Sequence, residues 1–179
     1  GCDGLTSITI PDSVTSISTY AFLDCDSLTS ITVNKNNPVY HSSGNCIIKT
    51  ESKELIAGCN NSVIPNDGSV TSIGIGAFEY CKKLTNLTIP DSVESIGSGA
   101  FYNTAYYNNE KNWKDGVLYA GRHLIEAKKS KSGSYTIKDG TLTIGESAFA
   151  WCENLTSIVI PDSVTRIGEY AFFGCSALT

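Results

Sequence analysis

A 23-residue unit recurs along this chain, and self-similarity at a fixed period constrains the fold more than any other feature of the sequence. The unit that runs from Cys2 through Leu5, Ile8, Ile10, Pro11, Val14 and Ile17 to Ala21-Phe22 returns at Cys25, again from Cys81, and again between Cys152 and Cys175. An Ala-Phe pair recurs at Phe22, Phe78, Phe101, Phe149 and Phe172. It follows the strand-end Ile by 12 residues from Ile10, Ile89, Ile137 and Ile160 and by 14 from Ile64, so one coil carries two extra residues. A unit this short cannot cover its own apolar side. Stability has to come from stacking each unit on the next, which predicts a repeat solenoid whose five Phe rings share one buried column.

Each part of the unit has a mechanical reading. In Leu5-x-x-Ile8-x-Ile10 the apolar residues alternate with Thr9, the period-2 signal of a strand with one face buried. Pro11 cannot donate a ladder hydrogen bond and ends the strand, and Asp12-Ser13 supplies turn chemistry. Val14 and Ile17 then re-enter the core on the return side. Gly74, Gly97, Gly145 and Gly168 share one repeat position, as expected where the chain turns tightly or adopts positive φ. The segment after it, as in Glu169–Cys175, is too short for a stable α-helix and reads as one helical or 3₁₀ turn.

Two stretches break the period and resemble each other. Residues of about 34–61 contain Val39-Tyr40 and Cys46-Ile47-Ile48, a turn at Thr50–Lys53, and Leu55-Ile56-Ala57. Residues of about 102–134 contain Val117-Leu118-Tyr119, a turn at Gly121–His123, and Leu124-Ile125. Both read as short β-hairpins inserted into longer coils. Insertions in a solenoid map to one side and often carry function. The second holds the only aromatic-rich patch in the chain, Tyr102, Tyr106, Tyr107, Trp113 and Tyr119, which either contacts a protein or glycan or packs the hairpin onto the coils.

Of the seven cysteines, Cys2, Cys25, Cys81, Cys152 and Cys175 occupy one repeat position, with Thr104 in the sixth place. Recurrence once per coil marks a small buried side chain beside the turn. Cys46 and Cys59 flank the first hairpin without standing directly opposite, which argues against a disulfide. No Cys-x-x-Cys pair occurs, so neither a zinc site nor any cofactor is expected. His41 and His123 are the only imidazoles, and no nucleophile elbow, P-loop or dinucleotide fingerprint is present. The chain therefore reads as non-catalytic. A formal charge of -5 argues against nucleic acid, and Lys82-Lys83 and Lys128-Lys129-Ser130-Lys131 read as solvated loop charges. No apolar run is long enough for a membrane helix, so no membrane insertion is expected of this segment. Of the three Asn-x-Ser/Thr sequons, at Asn60, Asn86 and Asn154, two fall out of the repeat itself.

The pattern at Leu155–Cys175, Leu-Thr-Ser-Ile-x-Ile-Pro-Asp-Ser-Val-Thr-x-Ile-Gly-x-x-Ala-Phe-x-x-Cys, resembles the BspA-like (treponemal-type) leucine-rich repeat, and the likeness spans essentially all of residues 1–179. The resemblance implies a right-handed leucine-rich-repeat coil, mainly β, with a strand on the concave side of each coil, in cell-surface or secreted proteins associated with adhesion. On that footing the chain is a single monomeric solenoid segment of a longer array, since it opens and closes in mid-repeat. Its expected partner is an extracellular protein or glycan. A structural spacer, or an accessory module of a secreted enzyme, is the alternative. If Leu5, Ile8 and Ile10 point inward, Ser7 and Thr9 point out, and their equivalents Ser30, Thr32, Asn86, Thr88 and Ser157, with Val159 in the last place, form a mostly hydroxyl-bearing ladder. That ladder either receives an extended partner or is an ordinary exposed strand face.

Overall fold

A computed structural model describes all of residues 1–179 as a β-solenoid of about seven turns. Its strands are β1 Ser7–Ile10, β2 Ser30–Val33, β3 Tyr40–Ser43, β4 Cys46–Lys49, β5 Glu54–Ala57, β6 Ser72–Ile73 and β7 Ser95–Ile96. They continue as β8 Trp113–Lys114, β9 Val117–Ala120, β10 His123–Ala127, β11 Ser132–Thr136, β12 Thr143–Ile144, β13 Asn154–Val159 and β14 Arg166–Ile167. The only helical pieces are α1, Ala105–Asn108, and a 3₁₀ turn at Glu110–Asn112.

The period appears directly as register. Strand β1 pairs parallel with β2, Ser7 on Ser30 through Ile10 on Val33, one repeat apart. Strand β11 pairs in the same way with β13, Ser134 on Ser157 through Thr136 on Val159. A second parallel ladder, not anticipated from the pattern, runs along the return side: β5-β6-β7 in one sheet and β10-β12-β14 in another. Its two-residue strands are the Ser/Thr/Arg-Ile pairs before the shared Gly. At that position backbones meet so closely that a Cβ on Gly97 would lie 2.5 Å from the Ile75 nitrogen, and one on Gly168 would lie 2.4 Å from the Glu146 nitrogen. The glycine is there for close approach between coils, and the expectation of positive φ at that position is corrected.

Positive φ falls elsewhere, twice per coil and four residues apart: at Tyr20 and Asp24, Gly76 and Tyr80, Gly99 and Asn103, Ser147 and Trp151, Tyr170 and Gly174. These left-handed residues explain why the Ala-Phe segment is not a helical turn. Ala171, Phe173 and Cys175 donate in succession to the carbonyls of Gly168, Tyr170 and Phe172, giving consecutive tight turns that each left-handed residue interrupts. The two extra residues after Ile64 sit in the turn around Gly68, where Asp67 accepts from the Ser69 amide.

The inserted regions are three-stranded meanders rather than simple hairpins. In each, the third strand joins the parallel ladder: β3-β4-β5 leads into β6, and β8-β9-β10 leads into β12. Both carry a bulge at the same place. Ile56 is skipped between Leu55 opposite Ile48 and Ala57 opposite Ile47, and Ile125 is skipped between Leu124 opposite Tyr119 and Glu126 opposite Leu118.

These meanders cut the core. Phe78 and Phe101 stack at 5.3 Å and Phe149 and Phe172 at 5.5 Å, while Phe22 packs with a separate cluster around Leu28, Ile31 and Ile47. The single Phe column expected from the repeat is therefore segmented. The chain supplies no Ala-Phe turn in the meander coils, and Gly58 and Ala127 take its place, donating to the carbonyls of Ala77 and Ala148. Backbone bonds carry the solenoid across both breaks. Buried Asn60 adds a side-chain bridge, donating to the Asp26 and Leu28 carbonyls and accepting from the Lys83 amide.

Candidate functional site

The hydroxyl ladder forms only on the paired strands β1–β2 and β11–β13. On β1 and β2 the Ile side chains turn inward and Ser7, Thr9 and Thr32 are exposed, with Ser30 half-buried. Thr9 and Thr32 share a hydrogen bond of 2.9 Å, Ser134 and Ser157 one of 2.7 Å, and Thr29 donates to the Thr6 carbonyl. Asn86 and Thr88 are exposed on an extended segment outside any strand. The ladder is neutral, and much of its hydrogen-bonding capacity is spent between coils.

The meander aromatics come together with their polar ends turned inward. Tyr106 donates to the Tyr119 carbonyl at 2.7 Å, Tyr107 to Glu126 at 3.1 Å, and the Trp113 indole to the Tyr107 carbonyl at 2.6 Å, while the Tyr119 and Tyr135 hydroxyls meet at 3.0 Å. Tyr102, Tyr107 and Trp113 form an edge-to-face chain at 5.3 and 5.1 Å. Tyr106, Tyr107 and Trp113 are half-buried against the central core, and Tyr119 is half-buried against the next; Tyr102 stays 43% exposed. Local sequence explains the pose. Thr104, in the cysteine position, is fully buried and caps α1, donating to the Phe101 carbonyl and accepting from the Tyr107 amide.

Tyr102 belongs to a different surface as well. The Ala-Phe turns present a row of rings beside the invariant pair: Tyr20, Tyr80, Tyr102, Trp151 at 50% exposure, Tyr170 and Phe173. Tyr80 meets Tyr102 at 6.1 Å, and Phe173 meets Trp151 at 5.0 Å and Tyr170 at 5.9 Å. The meander patch is thus not the molecule's only aromatic surface. Tyr170 and Phe173 lie on the last coil, whose far side has no neighbour here, so their exposure also reflects that open side.

Titratable groups are mostly structural. Burial pushes the thiols of Cys46 and Cys81 up to about 12 and that of Cys152 to about 11, which keeps them protonated and poorly nucleophilic. All seven cysteines are free thiols, and the Cys81, Cys152 and Cys175 thiols lie against carbonyls of the preceding coil. His123 is fully buried, its Nδ1 2.9 Å from the Thr143 hydroxyl and its Nε2 unpartnered; burial lowers its basicity. Burial raises the Glu126 carboxyl above its ordinary range. No group of three or more His, Cys, Asp or Glu is placed to hold a metal ion. The basic clusters are not simply solvated. Lys82 bridges Asp24 and Asp26, Lys128 pairs with Glu110 over the Trp113 ring, and Lys131, nearly buried, pairs with Asp115 over the Tyr135 ring.

The model of the BspA type leucine rich repeat region matches residues 1–108 and 49–179, in six copies. The chain belongs to the BspA-type leucine-rich repeat family. Among solved structures, this BspA-type chain is 33% identical to a leucine rich cell surface protein from Faecalibacterium prausnitzii, covering 98% of the chain and 47% of that protein, with a TM-score of 0.55. A leucine-rich repeat protein from Eubacterium ventriosum shares the fold at 23% identity and a TM-score of 0.53, over 97% of the chain and 41% of that protein. The pneumococcal vaccine antigen PcpA does so at 17% identity and 0.55, over 98% and 44%. The chain spans less than half the length of each. Comparison with curated proteins finds no match. No helix of the BspA-type chain is long and apolar enough to cross a membrane.

Sequence reasoning found Tyr102 for its place in the insertion and missed Tyr80, Trp151, Tyr170 and Phe173. The signal was available: these rings occupy the variable positions flanking an invariant Ala-Phe pair, where the repeat itself asks for no bulk. Trp151 even takes a left-handed backbone site that Asp24, Asn103 and Gly174 fill in other coils, against the usual cost of a bulky side chain there.

Proposed function

We propose that this chain is a non-catalytic protein-interaction module of a cell-surface or secreted bacterial protein, and that its contact area is the aromatic edge along the Ala-Phe turns, centred on Tyr102 and Trp151. The observation that carries this reading is the half-exposure of those two rings on successive Ala-Phe turns, each braced edge-to-face by a neighbour. Rings held rigid in this way offer large apolar area at low entropic cost, the property of interface anchors. The cell-surface relative from Faecalibacterium supports the location. A glycan is the alternative ligand of the same edge. The self-bonded hydroxyl ladder favours a spacer role for the strand face, which would then display the edge rather than bind.

Biolayer interferometry against a panel of extracellular proteins and glycans tests this. Replacing Tyr102 and Trp151 together with Ala should weaken the strongest protein interaction at least about tenfold, the scale of two interface anchors. Replacing Thr9 and Thr32 with Ala should leave it unchanged. The opposite ranking moves the interface to the strands, and unchanged binding in a Trp113→Ala variant is expected on either reading.

A further inference from the structure

A cleft of about 330 Å³ opens on this edge between the turn Gly97–Tyr102 and the turn Glu146–Trp151. Its origin is the missing Ala-Phe turn of the second meander coil. The meander strand fills the floor, Ala127 donating to the Ala148 carbonyl, but nothing fills the rim; the two turns meet at one end, where the Glu146 amide donates to the Ile96 carbonyl, and a slot opens between them beyond it. Tyr102 and Trp151 line the slot, together with Glu126, Glu146 and Lys129.

The charges of the slot are not matched in ion pairs. Glu126 accepts only from the Tyr107 hydroxyl and Glu146 only from the Ser98 amide, and neither carboxylate nor Lys129 has a salt-bridge partner. Glu126 is half-buried, and its burial already raises its affinity for a proton. The charge of Lys129 acts on Glu126 from the same slot but forms no ion pair with it, and a guest bringing positive charge to a desolvated carboxylate repays more than one bringing hydroxyls.

The first meander supplies an internal control. The equivalent slot, lined by Tyr20, Ala57, Gly76 and Glu79 among others, has a volume of only about 20 Å³, because the Tyr20 ring lies over Gly76. There the shared register puts Ala57 at the place of Glu126 and Ile75 at the place of Glu146. The first module's slot keeps one carboxylate, Glu79, at the place of Ala150; an open cleft with two carboxylates on its floor belongs to the second module, although the backbone is common to both.

We propose that the Tyr102–Trp151 cleft receives one basic side chain, arginine or lysine, of a protein partner, with the rings as walls and the Glu126 and Glu146 carboxylates as counter-charges. This rests on the aromatic edge being the protein interface and names the chemistry it selects. Cation–π contact and a charge-assisted hydrogen bond together suit a planar guanidinium best.

The test is a titration of the whole chain, followed by the amide resonances of Gly97, Ser98 and Gly99 and the indole resonance of Trp151. The probes are acetyl-Gly-Arg-Gly-amide, its Gln counterpart, and the disaccharide N-acetyllactosamine. Saturable shifts are expected with the arginine peptide alone. They should weaken at least about tenfold in the isosteric Glu126→Gln/Glu146→Gln variant and strengthen in Lys129→Ala, with resonances remote from the cleft unchanged as proof of folding. Equal shifts with the Arg and Gln peptides, or an unaltered response in the isosteric variant, would overturn the proposal. So would binding of the disaccharide alone. If the arginine peptide fails while Tyr102→Ala/Trp151→Ala still weakens protein binding, the basic pocket is removed and the aromatic edge stands.

Discussion

The two meander modules are the same backbone put to different uses. Both insert three antiparallel strands, both skip one Ile at the same bulge, and both hand their third strand to the return-side ladder. The first is closed and structural: Tyr40 is buried and its hydroxyl accepts from the Ile17 amide, and Asn60 ties coils together around it. The second places Trp113 opposite Leu118, His123 in the register of Glu54 and Glu126 in that of Ala57. Register decides the fold in both. The side chains that the register leaves unconstrained decide the difference.

The largest effects test whether the modules divide the core energetically as they divide it geometrically. Replacing Phe149 or Phe78 with Ala should cost about 3–5 kcal/mol in urea unfolding, the scale for a buried aromatic. Because backbone bonds from Gly58 and Ala127 span the breaks, one cooperative transition is expected to survive. Two separated transitions would show that each meander is a boundary between independent folding units.

A smaller contrast lies at the breaks themselves. A Cβ on Gly58 would sit 2.0 Å from the Phe78 ring, whereas its counterpart Ala127 already carries one. Gly58→Ala should therefore destabilise by about 2–3 kcal/mol through overpacking, and Ala127→Gly by only about 1 kcal/mol. Equal costs would mean that the two rings are not seated alike.

Much of this is legible in the sequence. Alternation in Leu5-x-x-Ile8-x-Ile10 gave β1 and its outward hydroxyls, and the spacing of Ala-Phe gave the stack, because both are periodicities of the backbone itself. The return-side ladder was not legible: two residues such as Ser95-Ile96 carry no alternation, and only the close approach at Gly97 reveals the neighbouring coil. The broken Phe column was hidden for a related reason. A repeat alignment shows where Phe occurs but not what Gly58 and Ala127 do where it is missing. In the candidate site, composition drew attention to the meander aromatics, several of which spend their polar ends internally. Trp151 escaped notice because it looked like one more variable position.

Smaller again is the effect of His123, which has no titratable counterpart in the first module other than Glu54. Its folded-state basicity lies below the ordinary value of about 6.5, so the unfolded chain takes up the proton first as pH falls. Stability should thus be complete above that range and decline as pH drops through it toward the lowered folded value. Thermal unfolding of His123→Asn should show a flatter profile between pH 7.5 and 5.5. A profile unchanged by the substitution would assign the acid sensitivity to another group.

Glu126 should show the smallest effect on stability and the most informative sign. Burial raises its folded-state carboxyl, so at neutral pH the ionised form costs folding free energy, and stability is regained as pH falls through the raised value. Glu126→Gln should accordingly raise stability at pH 7 by less than about 1 kcal/mol, with solvent screening keeping the gain small. The same substitution should impair capture of a basic peptide, and Ala57, its counterpart, shows that the fold needs no carboxylate there. A residue that the scaffold would be more stable without, held where the sister module has Ala, is placed for a partner; if Glu126→Gln instead destabilises the chain, the carboxylate belongs to the Tyr107 hydrogen bond and to the packing of the meander.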